Sequence, residues 1–473
     1  MTQYDLAIVG GGAAGFAAAI KASELSEGEM TIVIVSEGRL GGTCVNVGCI
    51  PSKYLIEAAK HYHYSRTVLF DGVRPRGVDL DLESLMDSLR KFVDLMRREK
   101  YDNVIKQYGN VDLVEGRASF TSTRTIAVDT GGGSREIEFR KALIATGSHP
   151  TIPDIPGLEK VGYHTTDTIW GLKRLPESIL LVGGGAVGLE IGQALQRLGC
   201  EVTLVEVLDR VLPMMEPEIS KMLAEILTAE GMRIITKARV TELSKNEGYV
   251  RATLVTNEGR RAMEFETILL AAGRKPNTGG LGLERARVAV DGRGFIKVDK
   301  MMRTSTPNIY AAGDCVAKPF MLETLSAREG VVAASNIVKE GSANMDYTAV
   351  PVVVFTEPQV GSVGLTEREV VERFGACSCR VVELDNVAKA RMGGGKGLAK
   401  LVISPDSGRV LGIHILSPNA AEYITEAALY IKYGKTVMDI VDTIHVFPTY
   451  AETIKLTAQA FLRPLTLMSC CVE

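Results

Sequence analysis

Apolar runs and glycine stops alternate along the first two-thirds of the chain. Residues 4–9 are apolar on both faces and predict a buried strand, which stops at Gly10-Gly11-Gly12-Ala13-Ala14-Gly15. Residues 16–22 continue as a helix, and residues 30–35 predict a second strand ending at Ser36-Glu37. The succession recurs. Residues 178–182 lead into Gly183-Gly184-Gly185-Ala186-Val187-Gly188, a helix carries Leu189-Glu190-Ile191-Gly192, and residues 201–205 end at Glu206. Between the two units, residues 111–144 predict short strands broken at Gly131-Gly132-Gly133 and closed by Ala145-Thr146-Gly147-Ser148. Ala271-Ala272-Gly273-Arg274 is the matching close after the second unit, and residues 309–314 form another strand that stops at Gly313-Asp314. From about Tyr347 the texture changes. Residues 351–355 predict a strand, residues 397–415 two strands around Ser407-Gly408, and residues 420–432 and 451–461 helices, with no glycine fingerprint.

A strand, a glycine turn, a helix and a distal acid make a dinucleotide-binding unit. Gly10 makes the turn, Gly12 admits the pyrophosphate, and Gly15 lets helix and strand pack closely. The helix N-terminus, with Ala14 in its first turn, presents free amides to the phosphates. Glu37 is the ribose-binding candidate, although Ser36 stands where an acid is equally expected. Gly183, Gly185 and Gly188 repeat the arrangement, so two dinucleotides are expected: FAD as the held carrier and NADH or NADPH as reductant. Glu206 would bond a free ribose 2′-hydroxyl and repel a 2′-phosphate, which favours NADH; Arg210 nearby keeps NADPH open. Asp314 reads either as a partner for the flavin's ribityl chain or as a helix cap.

The fold class is therefore α/β, with two Rossmann-like FAD- and NAD(P)-binding domains and a C-terminal α+β dimerisation domain. The expected boundaries are 1–153 and 273–345 for the FAD-binding and central parts, 154–272 for the NAD(P) domain, and 346–473 for the dimerisation domain with its tail. Composition excludes other classes. The 473 residues are 46% apolar and 23% charged, and 54 basic against 57 acidic side chains leave no footprint for nucleic acid. No run approaches a bilayer span and no leader precedes the first strand, so a cytoplasmic protein without a membrane partner is expected.

Eight cysteines in such a chain point to catalysis or metal binding rather than a disulfide scaffold. Cys44 and Cys49 lie within Gly41-Gly42-Thr43-Cys44-Val45-Asn46-Val47-Gly48-Cys49-Ile50-Pro51-Ser52-Lys53, read as a redox-active dithiol lying against a flavin. Near the C-terminus, adjacent Cys470 and Cys471 suit a soft, thiophilic metal ion or exchange with another dithiol. Cys377 and Cys379 have short metal-ligand spacing without matching histidines and are read as a surface loop without function. Cys200 and Cys315 read as core, and His61 and His63 as helix packing or solvent exposure rather than ligation.

In order along the chain, GGTCVNVGCIPSK, ATGSHP, GGGAVGLE, AAGRKPN, AAGDC and VVVFTEPQVGSVGLTE resemble the pyridine nucleotide–disulfide oxidoreductases from end to end. The resemblance implies that Cys44 exchanges with substrate and that Cys49 is the flavin-facing thiolate. It also implies a Lys53–Glu190 pair near the flavin, with Gly42, Thr43, Thr146, Gly147, Gly273 and Asp314 among the cofactor contacts. Disulfide-reducing members carry His-Pro-Thr-x-x-Glu, whose histidine moves protons to the substrate. This chain reads Phe447-Pro448-Thr449-Tyr450-Ala451-Glu452, keeping the acid and losing the base, while His445 lies two residues early.

The terminal Ser469-Cys470-Cys471 resembles the mercury-reducing branch of the family, as do residues 384–387 and 455–461. That resemblance implies a homodimer in which Cys470 and Cys471 of one subunit capture Hg(II) as substrate and pass it to Cys44 and Cys49 of the other. Tyr450 is the expected stand-in for the tyrosine that such relatives place at position 447. Ala186 stands where some relatives carry a tyrosine over the flavin. The chain starts at its flavin strand without the Cys-x-x-Cys module of many relatives, so capture is expected to rest on the tail. NADPH is the usual reductant of that branch, against the local reading of Glu206. The alternatives are a dihydrolipoamide dehydrogenase-like or thioredoxin reductase-like disulfide reductase, and a thiol-based metal-binding or redox-sensing protein without turnover.

Overall fold

The computed structural model describes residues 2–68 and 70–468. Thr2–Val9 runs parallel between Ile32–Ser36 and Ser134–Ile144; Val111–Glu115 extends one side, and Ile309–Ala311 pairs with Ser134–Ile144. Arg117–Phe120 and Thr125–Asp129 continue the sheet antiparallel. Leu6, Ala7, Ile8, Ile32 and Val33 are wholly buried, as a parallel strand covered on both faces requires.

The second glycine unit builds its own parallel sheet in the order Arg233–Ile235, Glu201–Val205, Ser178–Val182, Thr267–Leu270, His164–Thr165. Beside it stands an antiparallel meander of Arg239–Asn246, Tyr249–Thr256 and Gly259–Phe265, which the sequence pattern does not separate. The C-terminal sheet runs Val352–Val354, Gln359–Gly364, Val410–Ser417, Leu398–Ile403, Ser378–Glu383, every neighbouring pair antiparallel. Helix Ala420–Lys432 matches its expected bounds, whereas the helix expected over 451–461 is shorter, Glu452–Gln459. Among the described residues no helix is long and apolar enough to cross a membrane.

Two helices absent from the sequence reading position the site. Leu82–Arg97 starts at Asp81, whose carboxylate accepts the Ser84 amide, and buries Leu82, Met86, Leu89 and Val93 on one stripe. Glu323–Val338 crosses the first glycine-unit helix, Ala13–Leu25, at Gly330, where a Cβ would lie 2.1 Å from the Ala14 carbonyl oxygen. The contact is backbone against backbone, so no side-chain rotation relieves it.

Gly330→Ala is therefore expected to destabilise the fold by about 1–3 kcal/mol, the usual range for overpacking. Urea unfolding followed by circular dichroism measures this, and an unshifted midpoint contradicts the close crossing.

Candidate active site

The dithiol straddles two helices. Cys44 lies in the short helix Gly42–Asn46, entered through Gly41 and Gly42 at φ +89° and +58°, and Cys49 is the first residue of Cys49–Tyr64. The turn between them is braced from outside. The indole Nε1 of Trp170 donates to the Val47 carbonyl at 2.7 Å, and the Asn46 amide donates to the carbonyls of Gly42 (2.8 Å) and Leu40 (3.0 Å). Both thiols are free and half-buried.

Their protonation is unequal. Cys44 donates a hydrogen bond to Cys49, which together with burial drives the Cys44 thiol far above the ordinary range. The same hydrogen bond holds the Cys49 thiolate below that range, against burial and with help from the Lys53 charge. Its place at the N-terminus of a helix of 16 residues favours the anion further. In the reduced pair this hydrogen bond places the shared proton on Cys44 and favours negative charge on Cys49.

Lys53, one turn beyond Cys49, reaches the second glycine unit. Its Nζ lies 2.8 Å from Glu190 Oε2 and 4.4 Å from the centroid of the Phe355 ring. The other Glu190 oxygen accepts the Phe355 amide at 2.8 Å, so both oxygens of this buried carboxylate are matched. Phe355, Trp170 and Glu323 belong to this neighbourhood and were not legible in the sequence. Burial raises Glu323, whose charge opposes both thiolates.

The two glycine units make the same close contacts at their first and last glycines. A Cβ on Gly10 would meet the Ala145 oxygen at 2.2 Å and one on Gly183 the Ala271 oxygen at 2.4 Å; Gly15 meets the Gly10 oxygen as Gly188 meets that of Gly183. Gly42 approaches Gly12 so closely that a Cβ would lie 2.8 Å from its Cα. The helices after Gly12 and Gly185 have no side-chain cap and no acid in the first turn, leaving their amides for an anion. A dinucleotide fits each cradle. Thr146 is locked to Asn277, which accepts from its hydroxyl at 2.7 Å and donates to its carbonyl at 2.9 Å, while Gly147 and Gly273 take positive φ on either side of that contact. Asp314 caps no helix, since the next begins at Glu323. It accepts from Ser148 (3.1 Å) and Ser326 (3.3 Å) and lies 3.4 Å from Lys318.

The distal acids differ. Glu206 accepts the Gly184 amide at 2.6 Å and the Leu208 amide at 2.8 Å, so it also pins the glycine turn. Arg210 is held by Asp209 and the Pro213 carbonyl. In the first unit Gly10 bonds to Val35 as Gly183 bonds to Val205, which makes Ser36 the counterpart of Glu206 and leaves Glu37 one residue on, exposed.

At the far end Phe447 is half-exposed and residues 447–450 form bends, so Tyr450 is not one helical turn beyond it. Tyr450 packs against the cluster of Leu384, Val387 and Ala390, and its pKa is raised by burial. Glu452 accepts the Thr449 amide at 3.1 Å. His445 pairs with Glu426 at 2.8 Å; burial disfavours its charge, but that hydrogen bond prevails and raises its pKa. Cys200 and Cys315 are core residues. Cys377 and Cys379 are not in a free loop: Cys379 lies in strand Ser378–Glu383 and Cys377 directly precedes it. Cys470 and Cys471 lie outside the described residues.

Residues 4–341 match the model of the pyridine nucleotide-disulphide oxidoreductase family, and residues 350–458 that of its dimerisation domain. The chain belongs to this family. It is an oxidoreductase that uses FAD and NAD(P)H. It is similar to the mercuric reductase of Streptomyces lividans, 39% identical over 99% of this chain and 98% of that one, and to that of Lysinibacillus sphaericus, 36% identical over 99% and 84%. A dihydrolipoamide dehydrogenase of Chaetomium thermophilum is 36% identical over 96% and 90%. Among solved structures, the Cu(II) complex of the HOCl-induced flavoprotein disulfide reductase RclA from Escherichia coli has a TM-score of 0.86 at 26% identity, covering 97% of this chain and 99% of that one.

The shared proton predicts a graded response. In Cys44→Ala the pH midpoint for Cys49 alkylation is expected to rise by about one to two units, the worth of a charge-assisted hydrogen bond. Cys44→Ser keeps a donor and should rise less; equal midpoints in both variants would place the cause elsewhere.

Proposed function

We propose that this chain reduces Hg(II) to Hg(0) with NAD(P)H through Cys44 and Cys49. Full-length similarity to several mercuric reductases supports the reading. The observation that carries it is that, among the described residues, no imidazole pairs with Glu452, which instead holds the Thr449 amide, with Phe447 at the proton-relay position. Reduction of a disulfide needs that relay to protonate its leaving thiolate; reduction of a thiolate-bound metal does not.

The reaction balances as Hg(SR)₂ + NAD(P)H + H⁺ → Hg(0) + 2 RSH + NAD(P)⁺. Bound FAD and NAD(P)H supply the electron pair. The chain's own residues receive the metal. The Cys49 thiolate, rather than Cys44 as the family resemblance implies, displaces the first thiolate from Hg(II), and Cys44 forms the second Hg–S bond as its shared proton passes to the second departing thiolate. Each exchange breaks one mercury–sulfur bond as it makes another. Lys53 balances the anionic charge gathered there and is itself fixed by Glu190. We assign delivery to Cys470 and Cys471 of the partner subunit in a cytoplasmic homodimer. NADH is the proposed preferred reductant, because Glu206 stands where a 2′-phosphate would be repelled. A second reading, disulfide reduction, is favoured by the His445–Glu426 pair, which offers a base of its own.

Oxidation of NADH and NADPH should depend on Hg(II) in excess thiol and be slow with lipoamide or oxidised glutathione, with NADH the faster reductant. Vigorous lipoamide turnover without Hg(II)-dependent oxidation overturns the assignment. Cys470→Ala with Cys471→Ala should slow Hg(II) turnover in thiol-rich buffer by roughly tenfold or more, a barrier rise of about 1.4 kcal/mol. An unchanged rate would sink the relay while leaving the enzyme class intact.

A further inference from the structure

We propose that Glu367, Cys377 and Cys379 form a binding site for one soft, thiophilic cation of the Zn(II), Cd(II) and Hg(II) kind at the rim of the C-terminal sheet. One carboxylate oxygen and the two Sγ atoms lie within 4.8 Å of one another, and among the described residues no other such set of three histidine, cysteine or acidic ligands converges. A metal–sulfur bond of about 2.3 Å puts two sulfurs roughly 3.8 Å apart in tetrahedral geometry and about 4.6 Å apart in linear geometry. Both fit.

Local structure aims the ligands. Strand residues two apart share a face, so Cys377 and Cys379 point the same way at the start of edge strand Ser378–Glu383, whose register against Leu398–Ile403 pairs Cys379 with Val402. Glu367 opens helix Glu367–Phe374, fixed by the reciprocal capping box of Thr366 and Glu369. The Cys377 sulfur already lies 3.7 Å from Glu367 Oε1. All three residues reach solvent, Glu367 with 39% of its side chain exposed, so an ion can enter.

Charge favours a cation here. Lys400, with 2% of its side chain exposed, contacts Glu216 (2.9 Å), Glu218 (2.9 Å) and Glu367 (2.6 Å). One ammonium thus faces three carboxylates, and His414 behind it, whose burial lowers its pKa, adds no positive charge at neutral pH. The thiols are protonated when no metal is bound: burial and the Glu367 charge raise Cys377 and push Cys379 up to about 11. Capture of M²⁺ therefore releases two protons as two metal–sulfur bonds form, with no change of redox state.

The test is equilibrium dialysis of the full-length, thiol-reduced holoenzyme against Cd(II). Wild type should bind one more equivalent per chain than Cys377→Ser/Cys379→Ser, with equal FAD content and unchanged NAD(P)H oxidation. Glu367→Gln, which keeps both thiols, should weaken that equivalent roughly tenfold. Its affinity should fall by up to about a hundredfold per unit of pH lowered, as two protons require. Equal Cd(II) stoichiometry in wild type and the double variant overturns the site, and an unchanged affinity in Glu367→Gln overturns the three-ligand geometry.

Discussion

A buried carboxylate holds the active centre together. Glu190 follows the second glycine turn, yet its two oxygens serve other parts of the chain: Lys53 from the dithiol helix and the Phe355 amide, directly after strand Val352–Val354 of the C-terminal sheet. Burying such a group is costly unless each oxygen is matched, so the carboxylate fixes how the three parts meet. The Cys49 thiolate inherits its setting from this arrangement, because Lys53 lowers its pKa from one turn away while Glu190 opposes that effect. A second charged junction lies beside it. Arg197, from the same helix as Glu190, binds Glu230 at 2.8 Å and Glu357 at 2.7 Å, and Lys60 of the dithiol helix also reaches Glu357. Two residues of one helix therefore carry both joints between nucleotide unit, dithiol helix and C-terminal sheet.

What was legible in the sequence is what local chemistry determines. The glycine turns could be read because only glycine fits where a Cβ would strike a backbone oxygen about 2.2 Å away. The strands beside them could be read because burial on both faces leaves an uninterrupted apolar run. Register was not legible. Ser36 and Glu37 differ by one position, and only the pairing of Val35 with Val9 makes Ser36 the counterpart of Glu206. The meander Arg239–Phe265 was hidden because alternating strands with polar faces resemble loop, and Leu82–Arg97 because its amphipathic stripe carried no motif to draw attention. Glu323 acts on the dithiol, Trp170 braces its turn at Val47 and Phe355 meets Lys53 and Glu190, all across long sequence separations, and nothing in their own neighbourhoods announces it. The Lys53–Glu190 pair was named only through family resemblance, and the geometry supplies its physical reason.

Under the proposed activity, the proton placement at the dithiol and the residues around position 447 answer one constraint. A disulfide acceptor leaves as a thiolate and must be protonated within the site. A thiolate-bound metal ion instead needs a nucleophile already ionised and a second thiol ready to ionise. The pair here has that asymmetry, with the proton on Cys44 and the charge on Cys49. As the first Hg–S bond forms, the charge on Cys49 is withdrawn into the bond and its hold on the Cys44 proton weakens. The first ligand to bind thereby prepares the second. No external base is required for that sequence, and Glu452, with no imidazole partner among the described residues, is left to hold the backbone at Thr449.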